Sequence, residues 1–280
     1  MRIGVVGSGI MGSGIAELAA SAGHDVVLRS RVEETAHATV QKTAKSLERQ
    51  VGRERITREQ ADEILDRITA TAHLGDLHDC DLVIESIVED LPTKLEMFEY
   101  LGEVCRPDTI IATNTSTLPV VDMAMATLHP ERVCGIHFFN PAPVMKLVEI
   151  VRPITASDST IQTAVEFAES CGKDVVQVHD EAGFIVNALL FPYLNNAVKM
   201  FERGMSDAAG IDRAMKGGCG FPMGPLELLD LVGLDTTVAI LDALYAEFAD
   251  PNYAPAPTLR RMVSAGQLGR KSGKGFHSYG

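Results

Sequence analysis

Positive charge, long apolar runs and paired cysteines are what this 280-residue sequence has least of. Its 25 Lys and Arg face 38 Asp and Glu, giving a net charge of −13 and a pI near 5.0. Such a surface repels a nucleic-acid backbone or an anionic membrane, so neither is expected as a partner except through a local basic patch. One patch stands out between Lys42 and Arg58, carrying Lys45, Arg49, Arg53 and Arg55. No apolar run approaches the ~18 residues of a membrane span. Arg2 leads straight into Ile3-Gly4-Val5-Val6, so no export signal is expected. A soluble cytoplasmic protein is the expectation. The five cysteines (Cys80, Cys105, Cys134, Cys171, Cys219) are an odd, widely spaced set with no CxxC pair, and there is no HExxH. They read as reduced thiols packed as small hydrophobes, with no catalytic thiol and no metal site.

What is present is a foldable chain: 46% hydrophobic residues with charges of both signs, free of repeats and low-complexity tracts. The first half alternates short apolar runs with longer amphipathic stretches, the pattern of βαβ units feeding a parallel sheet. Strands are expected at 2–6, 25–29, 82–85, 110–113, 134–138 and 146–151. Residues 33–65 are polar, charged and free of proline, and read as a pair of long exposed helices inserted into that topology. From Gly183 the spacing of apolar residues becomes helical, over 184–203 and again over 226–248, with Gly/Pro-rich turns between. The fold expected is α/β: a Rossmann-type, mostly parallel sheet with an inserted helical pair over residues 1–181, then an all-helical domain over 182–280. Ala188-Leu189-Leu190-Phe191 and the run Leu226 to Leu234 offer more apolar surface than about a hundred residues can cover alone. A homodimer through the helical domain is therefore expected.

Gly7-Ser8-Gly9-Ile10-Met11-Gly12 is a GxGxxG placed directly after the first strand and opening an apolar helix. Gly7 permits the tight turn, Gly9 a close backbone approach to a pyrophosphate, and Gly12 close helix packing. Ile10 and Met11 bring helix N-terminal N–H groups to the anion. Strand, fingerprint, helix and second strand in the first thirty residues point to a dinucleotide. An NAD site ends its second strand with an acidic residue that binds the adenine ribose. Here Ser30 stands at that place between Arg29 and Arg31, which suits a 2′-phosphate. NADP(H) is the favoured cofactor. NAD(H), with the arginines merely solvated in a loop, stays open.

Oxidising a secondary alcohol needs a base for the hydroxyl proton while the hydride departs, and histidine suits neutral pH. His137 lies at the end of an apolar run, where a parallel strand delivers it to the carboxyl edge of the sheet, the edge that binds ligands. Glu149 follows twelve residues later, after a Pro-rich turn. A carboxylate returning beside the imidazole would fix its tautomer and stabilise the imidazolium.

Several blocks, taken in order, resemble the L-3-hydroxyacyl-CoA dehydrogenase family, in particular its short-chain 3-hydroxybutyryl-CoA members. They are the segment Asn114-Thr115-Ser116-Thr117, the stretch Gly135 to Glu149 (GIHFFNPAPVMKLVE), Gly183 to Asn187 (GFIVN), Gly220 to Pro225 (GFPMGP) and Gly269 to Phe276 (GRKSGKGF). The resemblance spans essentially the whole chain. It implies His137 as acid/base with Glu149 as its partner, and Ser116 and Asn187 binding and orienting the substrate's 3-oxygen. It further implies Asn114 and Asn140 around the nicotinamide, and Glu89, Lys94 and Lys271 as cofactor-side residues, although Lys94 by itself reads equally as a solvated helix residue. Ser46 and Arg53 match contacts to the CoA phosphates, with Arg53 standing where lysine is more usual; Arg retains a phosphate clamp. The reaction implied interconverts an (S)-3-hydroxyacyl-CoA and a 3-oxoacyl-CoA. An NAD-dependent enzyme of β-oxidation, a dehydrogenase of a free hydroxy or sugar acid, and a non-catalytic dinucleotide-binding protein are the alternatives.

Overall fold

The computed structural model describes residues 1–280, which divide into two compact units, Met1–Asp180 and Glu181–Gly280. The first is built on one eight-stranded sheet. In chain order its strands are β1 (Arg2–Val6), β2 (Asp25–Arg29), β3 (Ile68–Thr71), β4 (Leu82–Glu85), β5 (Ile110–Thr113), β6 (Val133–Phe138), β7 (Leu147–Arg152) and β8 (Asp174–His179). Their spatial order is β3-β2-β1-β4-β5-β6-β7-β8, and every pairing is parallel except β6 with β7. The chain winds outward from β1 in one direction and from β4 in the other. The crevice between these two strands is therefore the topological switch point at which such sheets bind ligands.

Six of the eight strands lie where the apolar runs place them. The two that the runs do not announce, β3 and β8, are the outermost strands, and the reason is physical. Edge strands are half-covered, so Ile-Thr-Ala-Thr and Asp-Val-Val-Gln-Val-His carry little of the apolar density that marks β4 or β6, buried along their whole length.

Six helices cover this sheet: α1 (Ile10–Ser21), α2 (Glu33–Val51), α3 (Arg58–Asp66), α4 (Leu91–Val104), α5 (Val120–Met125) and α6 (Asp158–Ser170). The insertion is one long and one short helix rather than two long ones. The chain turns over residues 52–57, and Thr57 with Gln60 closes a capping box that starts α3 afresh. Nor is the pair wholly exposed: Ala36, Leu47, Ala61 and Ile64 are buried, most of them in one core cluster with Ile15 and Ala19 of α1.

The second unit is all-helical, with α7 (Val186–Glu202), α8 (Ala208–Cys219), α9 (Pro225–Val232), α10 (Leu234–Phe248) and α11 (Pro257–Ser264). The expected helix over 226–248 is split, because Gly233 takes φ +102°, a conformation that ends α9 and redirects the chain. Its core gathers Phe191, Leu194, Leu226, Leu241, Leu244 and Leu259. No helix of either unit is long and apolar enough to cross a membrane.

Candidate active site

The turn after β1 has the geometry that a dinucleotide requires. Gly7 adopts φ +123°, and a Cβ there would collide with the Ser86 carbonyl; one on Gly12 would collide with the Gly7 carbonyl. Gly9 is different: nothing lies within 4 Å of the position its Cβ would take. That open space sits over the start of α1, whose N-cap residue Gly9 supplies no side-chain cap, leaving the first N–H groups to face it. Ile10 is 77% exposed at this mouth, whereas Met11 packs on the core. The cradle fits a pyrophosphate. At the end of β2, Ser30 is buried with its hydroxyl 2.8 Å from that of Ser8, and Arg31 is exposed beside it. Arg29 turns away and donates its Nε to the Ala72 carbonyl at 3.3 Å.

The antiparallel pairing of β6 and β7 sets His137 directly opposite Glu149. Both are buried, and His137 Nδ1 lies 2.7 Å from Glu149 Oε2. With the carboxylate accepting, Nδ1 carries the proton and Nε2 presents its lone pair. Nε2 lies 3.2 Å from the hydroxyl of Ser116, on the loop after β5. The Phe139 ring sits against the imidazole with centroids 4.5 Å apart. Asn114 ties the strand ends together: its Oδ1 accepts from the Phe138 N–H at 2.9 Å and its Nδ2 donates to Ser86 Oγ at 3.3 Å.

Beneath this edge lies a charged cluster. Lys94, on α4, is fully buried and is no solvated helix residue: its ammonium donates to both oxygens of Glu85 at 2.7 and 2.9 Å and stands 3.5 Å from Glu89. Glu85, also fully buried, accepts in addition from the Thr113 hydroxyl at 2.8 Å and the Ile87 N–H at 2.7 Å. Glu89 Oε1 in turn accepts from the Thr115 hydroxyl at 2.6 Å and from the N–H groups of Ser116 and Thr117 at 2.8 and 3.3 Å. Glu89 thus fixes the loop that holds Ser116 against His137. Glu85 is a residue that sequence reasoning passed over. Its signal was a carboxylate closing a strand otherwise made of Leu, Val and Ile.

Ser46 and Arg53 meet Asn140 on the wall of one cavity of about 440 Å³, between α1, α2 and the segment joining β6 to β7. Lys42, Arg49 and Arg55 line it too, so the basic patch is gathered in one place. A buried acid that sequence reasoning also missed, Glu17 of α1, faces the same cavity and accepts from Ser46 Oγ at 3.1 Å and Gln50 Nε2 at 2.9 Å. Burial pushes its carboxyl above the usual range, against the opposing pull of Ser46, Gln50 and the Arg49 charge. Lys173 donates to the Ala142 and Met145 carbonyls at 2.6 and 2.7 Å and so pins the cavity's other wall. The remaining predicted residues belong to the second unit. Asn187 is buried in the first turn of α7, and Lys271 is held by Asp235 at 2.5 and 2.7 Å.

The cysteines have no place in this chemistry. All are free, and burial pushes the thiols of Cys80, Cys105 and Cys171 up to about 11 and that of Cys134 up to about 12.

A doubly wound sheet, a glycine cradle at its switch point and a carboxylate-held histidine on the same edge define a nicotinamide-dinucleotide oxidoreductase of the Rossmann class. Comparison with known proteins agrees: residues 2–181 match the family model described as 3-hydroxyacyl-CoA dehydrogenase, NAD binding domain, and residues 183–279 the model of the C-terminal domain. The chain belongs to the 3-hydroxyacyl-CoA dehydrogenase family. It is 48% identical to the 3-hydroxybutyryl-CoA dehydrogenase of Mycobacterium tuberculosis, over 99% of this chain and 98% of that protein. It is 44% identical to the protein of that name from Clostridioides difficile, over 100% and 99%. The crystal structure of (S)-3-hydroxybutyryl-CoA dehydrogenase from Ralstonia eutropha superposes with a TM-score of 0.97 at 38% identity, covering 100% of this chain and 99% of that one.

Proposed function

We propose that this enzyme interconverts (S)-3-hydroxybutyryl-CoA and acetoacetyl-CoA, with NADP(H) preferred to NAD(H). The observation that carries the reading is the buried His137–Glu149 pair with the Ser116 hydroxyl on its outer nitrogen. The names of the similar proteins, at up to 48% identity along the whole chain, support a short acyl chain. In the oxidative direction His137 Nε2 takes the proton of the 3-hydroxyl, and Glu149 stabilises the imidazolium that results. A bound nicotinamide supplies the two-electron acceptor for the hydride leaving C3. Ser116, and Asn187 as the resemblance implies, donate to the 3-oxygen as charge gathers there, an interaction stronger in the transition state than in the ground state. In the reductive direction His137 returns its proton to that oxygen. The (S) configuration rests on the family resemblance.

Ser30 in place of an acid, with Arg31 exposed beside it, supports NADP(H): a hydroxyl does not repel a 2′-phosphate and a guanidinium binds it. NADPH preference would make the enzyme a biosynthetic acetoacetyl-CoA reductase. The NAD(H) reading draws support from Arg29, whose bond to the Ala72 carbonyl leaves Arg31 as the remaining guanidinium at the ribose end. Initial rates with acetoacetyl-CoA against NADPH and NADH separately decide between them. Faster turnover with NADPH is expected, and Ser30→Asp should move the ratio towards NADH. Turnover of free 3-hydroxybutyrate but not of the thioester would reassign the substrate. Wild-type turnover by His137→Ala would refute the mechanism.

Asn114, Asn140, Glu89, Lys94 and Lys271 are taken as the cofactor-side residues, with Glu89 and Lys94 acting through the loop they order. The protein is proposed to be cytoplasmic and a homodimer through its helical unit. Leu189, Met205, Phe221 and Leu231, exposed by 72, 67, 42 and 49%, supply apolar surface for that contact. Light scattering giving twice the chain mass is the expected result.

A further inference from the structure

We infer that Glu17 sets the affinity of the cavity for the phosphate-bearing end of the substrate, by holding the Ser46 proton that a phosphate needs. The inference rests on the reading that CoA phosphates enter at Ser46 and Arg53.

A serine hydroxyl has one proton to give. That of Ser46 is given to Glu17 Oε1, at 3.1 Å, which also accepts from Gln50 at 2.9 Å. An ionised phosphate only accepts. A phosphate arriving at Ser46 therefore meets an oxygen whose proton points elsewhere, with a carboxylate behind it. Once Glu17 carries a proton the order of donation reverses: its carboxyl O–H donates to Ser46 Oγ, which then donates to the phosphate. Binding at this point thus couples to the uptake of one proton by Glu17.

The surroundings make that proton available. Arg49 on α2 favours the ionised carboxylate, and Lys42, Arg53 and Arg55 line the same cavity. The segment from Asn140 to Val144 brings no charge. The other elements packed on α1 meet it through apolar groups: Ala61 and Ile64 from α3, Ile3 and Val5 from β1, Val26 and Leu28 from β2. Burial on that side already moves the carboxyl towards its neutral form. An arriving dianion spends the Lys and Arg charges on itself and adds repulsion, and both effects favour protonation.

The test is calorimetry of CoA binding to the full chain at pH 8, in two buffers of different ionisation enthalpy, which counts the protons exchanged. A phosphomonoester with its second pKa at about 6 is ionised there both free and bound, so uptake arises from the protein. Wild type should take up protons on binding, at most one per site, and its Kd should rise with pH by at most about tenfold per unit. Glu17→Gln, whose amide N–H stands where the carboxyl O–H would, should bind CoA more tightly at pH 8 with almost no proton uptake. No uptake by wild type, or equal uptake by both proteins, overturns the role of Glu17 while leaving the acyl-CoA reading intact. CoA binding to neither protein overturns that reading and this inference together.

Discussion

His137 and Glu149 face each other across neighbouring antiparallel strands with 2.7 Å between Nδ1 and Oε2, and neither side chain is accessible enough for water to take the partner's place. Such a carboxylate selects the tautomer in which Nδ1 holds the proton and the Nε2 lone pair can act as base. Glu149→Gln keeps the shape but allows the opposite tautomer. We expect kcat to fall by about 10²- to 10⁴-fold with cofactor binding near normal. Steady-state rates together with cofactor fluorescence titration check this; retention of wild-type kcat would remove Glu149 from the mechanism.

Glu89 reaches the chemistry through a loop. Its one oxygen gathers Thr115, Ser116 and Thr117, and Ser116 is the residue within reach of His137. Misplacing a reacting group by about 1 Å costs on the order of 10²-fold. Glu89→Ala should therefore lower kcat by roughly that factor, while Glu89→Asp recovers part of it. A loss confined to thermal stability, with kcat intact, would show that the loop holds its place without Glu89.

Lys94 is the cation of a buried cluster whose carboxylate Glu85 is inaccessible. Removing one partner of such a pair leaves an uncompensated buried charge, at a cost of about 3–5 kcal/mol. Lys94→Met should lower unfolding stability by that amount in urea titration. Lys94→Met combined with Glu85→Gln should recover a large share of it. A single variant as stable as wild type would mean that water reaches Glu85.

Glu17 makes the pH dependence of stability specific. Its carboxyl is raised in the folded chain by burial, so between its ordinary value of 4.5 and the raised one the native state binds more protons than the unfolded state. Its contribution is complete below 4.5 and is lost as pH rises through the folded value. Glu17→Gln should thus match wild type in Tm below pH 4.5 and exceed it above, by a margin that grows with pH up to the raised value and stays constant beyond it. A Tm difference that does not change with pH would show that Glu17 keeps its ordinary ionisation.

The periodic and local features were legible from the order of residues alone. Strands with apolar residues on both faces, the glycine cradle at residues 7–12 and the His137 strand with its returning Glu149 all depend on neighbours along the chain, and each left a pattern to read. The family blocks added Ser116 and Asn187. The remaining features depend on how the elements pack. The edge strands β3 and β8 form because a neighbouring strand offers hydrogen bonds, not because their own residues demand it. Lys94 reads as a solvated helix residue until β4 places Glu85 beneath it. Glu17 reads as one polar residue of an apolar helix until α2 lays Ser46 and Gln50 across it. A charge takes its meaning from what lies within a few ångströms, and at these positions those partners come from elements 9 to 33 residues away.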